Sequence, residues 1–281
     1  MADFFAGKVV IITGSSSGIG RDTAVLFAKR GAKVVLTGRN TGKLQESKRL
    51  CVEAGAREEE VFLVAGDVVD EATAARIINE TVETFECIDV LVNNAGARFA
   101  DPLNRMGIEQ PVELFDQSIA VNTRSVLVLS QLAIPHLVRT RGAIVNVSSM
   151  LGAPFTFAVS PYYCIAKAAL DALTVQMAGS LILKGIRVNG VSPGVVRTNF
   201  ATNYGVAEGG VDKFYDAFDS RIPLGRVGKS TEIAELIAFL ADRSKSEFIV
   251  GQRYVADGGA ILMLGTCQSA SNAIASLGAD K

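Results

Sequence analysis

Tyr163 and Lys167 stand four residues apart in Tyr163-Cys164-Ile165-Ala166-Lys167, within a long stretch of helical spacing. On an α-helix that separation is about 40° around the axis and one turn along it, so both side chains can face one ligand. Tyr162 precedes the same lysine by five residues, which would turn it about 140° away and leaves Tyr163 as the candidate. A free phenol, with a pKa of about 10, is a poor general base at neutral pH. A neighbouring ammonium favours the phenolate, and a positively charged ligand would help further. A shift of roughly two to three units, at about 1.4 kcal/mol each, is within reach of a well-placed cation. The pair is therefore suited to moving a proton on or off a substrate oxygen.

A second group lies near the start of the chain. The run Thr13-Gly14-Ser15-Ser16-Ser17-Gly18-Ile19-Gly20 joins an apolar segment to the first helical pattern. A glycine-rich turn at such a junction lets a pyrophosphate approach backbone N–H groups and the positive end of the helix dipole. Gly14 would allow the tight turn, Gly18 the close approach and Gly20 the packing of helix on strand, while Thr13, Ser16, Ser17 and Ile19 complete the cradle. The next apolar segment ends in Leu36-Thr37-Gly38-Arg39-Asn40, with no acid to bind ribose hydroxyls. Arg39 can instead pair with a 2′-phosphate, so NADP(H) is expected over NAD(H), with Asn40 beside it.

These groups need a frame. Strands are predicted at Lys8–Thr13, Lys33–Thr37, Val61–Ala65, Asp89–Asn93, Ala143–Ser148, Ile186–Ser192 and Arg253–Ala256, mostly apolar without alternation, as strands covered on both faces should be. Helical spacing fills Gly18–Arg30, Gly42–Ala54, Glu71–Glu86, Pro111–Val138, Pro161–Lys184 and Thr231–Ala241. The expected fold is α/β: a Rossmann-type, doubly wound, seven-stranded parallel sheet with helices on both faces, as one domain over residues 1–259. Two stretches break the rhythm. Thr198–Arg226 leaves the carboxyl end of the sixth strand and is read as a substrate lid, and residues 260–281 form a tail.

Composition narrows the function classes. Of 281 residues, 49% are hydrophobic and 20% charged, enough for a packed core. A net charge of −1 argues against a nucleic-acid partner held by phosphate neutralisation. Cys51, Cys87, Cys164 and Cys267 form no C-x-x-C pair, and none adjoins the only histidine, His136. No metal site or disulfide framework is expected, and His136 reads as a capping or surface residue. No run approaches the ~18 uninterrupted apolar residues of a membrane span, and no export signal is visible, so a cytoplasmic protein is expected.

Thr13 to Gly20 matches T-G-x-x-x-G-x-G in full, and with it the chain resembles the classical short-chain dehydrogenase/reductases. Further motifs follow in order: Asp67-Val68 after the third strand, Asn93-Asn94-Ala95-Gly96 after the fourth, Asn146-Val147-Ser148-Ser149 at the fifth, Ser192-Pro193-Gly194-Val195-Val196-Arg197-Thr198 after the sixth, and Asp257-Gly258-Gly259 at the close. The resemblance spans Lys8 to Gly259. It implies that Asp67 and Val68 hold the adenine, that Asn94, Ala95 and Gly96 pass close to the cofactor, and that Pro193, Gly194, Val196 and Thr198 line the nicotinamide. It also implies a catalytic set of Asn122, Ser149, Tyr163 and Lys167. There Ser149 bonds the substrate oxygen, Tyr163 is the acid/base, Lys167 holds the ribose, and Asn122 anchors a water of the proton relay. Ser149 precedes Tyr163 by 14 residues, one more than is common in the family, which leaves Ser148 as an alternative.

The implied reaction is NADP(H)-dependent hydride transfer between a ketone or aldehyde and a secondary alcohol on a small molecule. A redox-silent NADP(H)-binding sensor or scaffold of the same fold is the alternative. The family implies a homotetramer or dimer built on the helices carrying Asn122 and Tyr163. Substrate identity stays open. Phe155, Phe157, Phe200, Tyr204, Phe214, Tyr215 and Phe218 could line an apolar ketone pocket or merely pack the lid.

Overall fold

Val9–Thr13 forms the first strand, β1, and each of its residues is buried. Its neighbours alternate in direction: Val10 and Ile12 join one apolar cluster, Val9 and Ile11 the other. A strand that buries both faces belongs in the middle of a sheet covered by helices on each side. In this computed structural model, which describes residues 3–154, 157, 159–200 and 208–263, that is the arrangement.

The chain continues through α1 (Gly18–Lys29), β2 (Lys33–Gly38), α2 (Thr41–Glu53), β3 (Val61–Ala65), α3 (Glu71–Phe85) and β4 (Val90–Asn93). Then come α4 (Val112–Ile119), α5 (Ser125–Thr140), β5 (Ala143–Val147), α6 (Pro161–Leu181) and β6 (Arg187–Pro193). The last part holds β7 (Val196–Arg197), α7 (Val211–Asp219), β8 (Gly228–Lys229), α8 (Ser230–Ala241), α9 (Arg243–Ser246), β9 (Arg253–Ala256) and α10 (Ala260–Met263). Among the described residues, seven strands pair in the order β3-β2-β1-β4-β5-β6-β9, all parallel. Phe27 of α1 and Ile233 and Ile237 of α8 cover one face; Ile77 of α3, Leu129 of α5 and Met177 of α6 cover the other. The strand order reverses between β1 and β4, which opens a crevice at their carboxyl ends.

Local chemistry sets the element ends. The Asn40 carboxamide accepts from the Lys43 N–H to start α2, and the Asp70 carboxylate accepts from Ala72 and Thr73 to start α3. The helix predicted over Pro111–Val138 is interrupted: α4 and α5 are joined by a π-helical turn at Ala120–Arg124, and α5 runs on through Pro135. That turn centres on Asn122, whose amide is held by the chain after β4 rather than by its own helix alone. Sequence periodicity carries no trace of such a tertiary tether.

The stretch after β6 is an excursion with joined ends. Val196 and Arg197 pair with Gly228 and Lys229, closing its base. Inside, Tyr215, Ile222 and Val227 form a small buried cluster of their own. Phe155, Tyr204, Cys267 and the tail beyond Met263 lie outside the described residues.

Candidate active site

Gly14 and Gly18 adopt φ of 67° and 53°, the left-handed region that only glycine enters without strain. A Cβ on Gly14 would stand 2.9 Å from Ala95 Cα, and one on Gly18 would stand 3.0 Å from Thr198. Gly20 is tighter still, with a Cβ falling 2.4 Å from the Gly14 carbonyl oxygen. Ser17 begins α1 without a side-chain cap, so the first N–H groups of that helix remain for a ligand. Such a cradle fits a pyrophosphate. Thr13 sits beneath it, its hydroxyl accepting from the Asn94 and Ala95 N–H groups at 2.9 Å each. Asn94 returns the tie by donating to the Thr13 carbonyl at 2.8 Å, so β1 and β4 present their ends as one unit.

Arg39 leaves the end of β2 largely exposed and faces Asp67 at 3.7 Å. Both line a single cavity of about 900 Å³ that runs along the crevice. Lys43, one turn into α2, lines it as well, and this cation was missed in the sequence although it follows Arg39 by four residues. At the other end of the crevice, the Gly194 N–H donates to Ala256 at 2.9 Å, and a Cβ on Gly194 would strike Asp257. The Asp257 carboxylate in turn accepts from the Gly259 and Ile261 N–H groups, fixing the closing turn.

Tyr163 and Lys167 face the same cavity from α6. The ammonium lies 5.7 Å from the centre of the Tyr163 ring and donates to the Val147 carbonyl at 2.8 Å. Lys167 is 2% exposed, and burial pushes its pKa down to about 8 against the smaller opposing pull of Asp171. Tyr162 is directed elsewhere: its hydroxyl donates to the Gln110 carbonyl at 2.7 Å. The two serines also separate. Ser148 donates to the Lys167 carbonyl at 3.2 Å, whereas Ser149 accepts from the Leu151 N–H at 3.1 Å and keeps its own hydrogen for another acceptor.

All the sequence-derived site residues line the cavity except Thr13 and Asn122. Asn122 is fully buried, donating to the Ala97 and Ser118 carbonyls and accepting from the Ala97 N–H. Its amide thus fixes the chain after β4. Gly96 allows the approach, since a Cβ there would stand 2.8 Å from Asn122 Oδ1 and 3.3 Å from Lys167 Nζ. Phe99, Gln117 and Val159 are further lining residues that sequence reasoning missed; they sit on irregular chain or a short helix without a diagnostic spacing. His136 contacts Arg139 on α5 and does not line the cavity. Among the described residues no group of three or more His, Cys, Asp or Glu could hold a metal ion. The segment Pro161–Lys184 is long and apolar enough to cross a membrane, yet it is the core helix that carries the Tyr163–Lys167 pair.

Comparison with known proteins agrees with this geometry. A family model described as enoyl-(acyl carrier protein) reductase matches residues 14–260. A Serratia marcescens meso-2,3-butanediol dehydrogenase is 36% identical over 256 residues, 91% of this chain and 95% of that protein. A Caenorhabditis elegans short-chain dehydrogenase/reductase of unknown function, solved with cofactor, is 44% identical, with a TM-score of 0.90 over 93% of this chain and 98% of that one. The apo form of a glucose dehydrogenase from the same organism is 43% identical, with a TM-score of 0.80 over 92% of this chain and 99% of that one. With a family model matching nearly the whole described domain and relatives alike over nine-tenths of its length, the chain belongs to the short-chain dehydrogenase/reductase family of NAD(P)-dependent oxidoreductases.

Proposed function

We propose that the chain is an NADP(H)-dependent oxidoreductase that interconverts a ketone and a secondary alcohol, or an aldehyde and a primary alcohol, on a small organic molecule. The observation that carries this reading is the buried Lys167 ammonium beside the Tyr163 ring, in one cavity with Ser149 and the glycine cradle. Residues 14–20 would hold the pyrophosphate, Asp67 and Val68 the adenine end, and Asn94 to Gly96 the chain's close passage to the dinucleotide. Pro193, Gly194, Val196 and Thr198 would line the nicotinamide. When bound, the dinucleotide supplies a hydride, one hydrogen with two electrons, to the carbonyl carbon. Ser149 donates a hydrogen bond to the carbonyl oxygen and orients it. Tyr163 gives its proton to that oxygen, so that hydride and proton together make the alcohol. In the reverse direction the same phenolate takes the proton back. Lys167 holds the ribose and favours the phenolate through its charge. Asn122 fixes the backbone that frames Lys167. The intact Ser149, Tyr163 and Lys167 weigh against a redox-silent role.

NADP(H) is favoured over NAD(H) because Arg39, just after β2, and Lys43, in the first turn of α2, stand where an acid would serve ribose hydroxyls. Asp67, 3.7 Å from Arg39, would yield that guanidinium to a 2′-phosphate, whose bidentate charge-assisted pair is the stronger partner. Comparison of kcat/KM for NADPH and NADH tests this in the wild type and in Arg39→Asp. The wild type should prefer NADPH, and the variant should lose at least ~10-fold of that preference, one charged hydrogen-bonded contact. An unmoved ratio removes Arg39 from the account. A homodimer or homotetramer and a cytoplasmic setting belong to the same reading. Exposed Leu127, Leu132, Ile165 and Val175 on α5 and α6 support the assembly, and the free thiols of Cys51, Cys87 and Cys164 suit a reducing compartment.

A further inference from the structure

We infer that the substrate of this site carries a bulky apolar group, aromatic or alicyclic, next to its carbonyl or carbinol carbon, and is neither a sugar nor a charged acid. The inference rests on the oxidoreductase reading above for which end of the cavity receives the substrate.

Beyond Tyr163 the cavity wall changes character. Phe200 packs on the Tyr163 ring with centroids 6.1 Å apart. Phe99 comes from the chain after β4, Phe157 from the chain before α6, and Phe214 and Phe218 from α7. The charged lining residues among those described are Arg39, Lys43, Asp67 and Lys167; Arg39 and Asp67 follow the ends of β2 and β3, Lys43 is in the first turn of α2, and Lys167 is engaged with Val147. A carboxylate or phosphate at the phenylalanine end would be stripped of water without a charged partner, and the Gln117 and Asn199 amides are too few to replace the water around every hydroxyl of a polyol. An apolar ring gains there instead by leaving water.

This wall is held in place by its own electrostatics. On α7, Val211, Phe214, Tyr215 and Phe218 follow the i, i+3, i+4, i+7 pattern of one helix face. Asp212 and Asp216, four apart on the other side, both take the Arg197 guanidinium, at 2.9 and 2.7 Å. The same guanidinium lies 5.6 Å from the Tyr215 ring centre, and the Tyr215 hydroxyl meets Thr198 Oγ1 at 3.4 Å. Arg197 thus ties β7 to the side of α7 away from Phe214 and Phe218.

The test compares two diketones with NADPH: diacetyl, and its counterpart with one methyl replaced by phenyl, with glucose and NADP+ as a polar control. The corresponding diols are titrated calorimetrically in the presence of NADPH, a pair of reduced partners between which no hydride can pass, which reads binding without turnover. The expected result is a kcat/KM at least ~10-fold higher for the phenyl compound, a Kd for its diol at least ~10-fold lower, and no measurable rate with glucose. Phe99→Ala and Phe214→Ala should each narrow both ratios. Having two variants on separate elements guards against one that disturbs the fold, which a thermal melt would reveal. Equal ratios for phenyl and methyl, or preferred turnover of glucose, overturn the apolar assignment while leaving the oxidoreductase reading standing. If neither diketone consumes NADPH the oxidoreductase reading is what fails, and the diol titration still decides for or against the apolar wall.

Discussion

Lys167 is a cation placed where a protein would ordinarily avoid one. Its ammonium is 2% exposed, its hydrogen bond is to a backbone carbonyl, and burial brings its pKa down to about 8 from 10.5. The folded state therefore binds this proton less tightly than the unfolded chain does. Below about 8 the charge must be kept buried, which opposes folding; between about 8 and 10.5 only the unfolded chain still holds the proton, and stability rises with pH. Lys167→Met lacks this term. The melting temperature of the cofactor-free wild type should gain on that of Lys167→Met as pH is raised through that window. A constant difference between the two melts contradicts a buried, perturbed lysine. A side chain that opposes folding at neutral pH and is nonetheless present is the expected mark of a functional position.

At the scale of elements, the site depends on two turns being held together. Thr13 at the end of β1 receives the Asn94 and Ala95 N–H groups at the end of β4. Thr13→Val keeps the shape and removes that acceptor, leaving Ala95 without its partner. The variant should lose about 1–3 kcal/mol in a denaturant titration, and NADP+ should bind more weakly because Gly14 and Ala95 lose their register. Full stability with unchanged nucleotide affinity would deny Thr13 this role. The strands themselves were legible: Val9 to Ile12 show no polar alternation because both faces are covered. The glycine turn was legible because its steric demand is local, as Gly14 and Gly18 confirm by their φ angles. The π-helical turn at Ala120–Arg124 was not, since it answers to a contact with Ala97, 25 residues away in sequence. The different partners of Ser148 and Ser149 likewise needed the fold, because the Lys167 carbonyl that Ser148 meets lies 19 residues away in sequence. Phe99 and Val159 escaped because irregular chain has no period to read.

Over the whole molecule, parallel strands buried on both sides set the crevice at their carboxyl ends, and the excursion between β7 and β8 contributes Phe214, Tyr215 and Phe218 to the lining of the cavity there. The outward faces of α5 and α6 keep Leu132 and Val175 exposed, and the proposed homo-oligomer would cover them. Light scattering of the full chain should give a dimer or tetramer, and Leu132→Glu with Val175→Glu should lower that mass. A wild-type monomer at micromolar concentration would contradict the assembly.

In the proposed reaction one phenol, tuned by one buried cation, moves the proton beside the nicotinamide. Tyr163→Phe tests it with the least disturbance, since it removes a single oxygen from the ring that Phe200 packs against. The variant should lose at least ~100-fold in kcat with NADPH and the phenyl-substituted diketone, while the calorimetric Kd for NADP+ and the melting temperature stay near wild type. Turnover undiminished in Tyr163→Phe would contradict it.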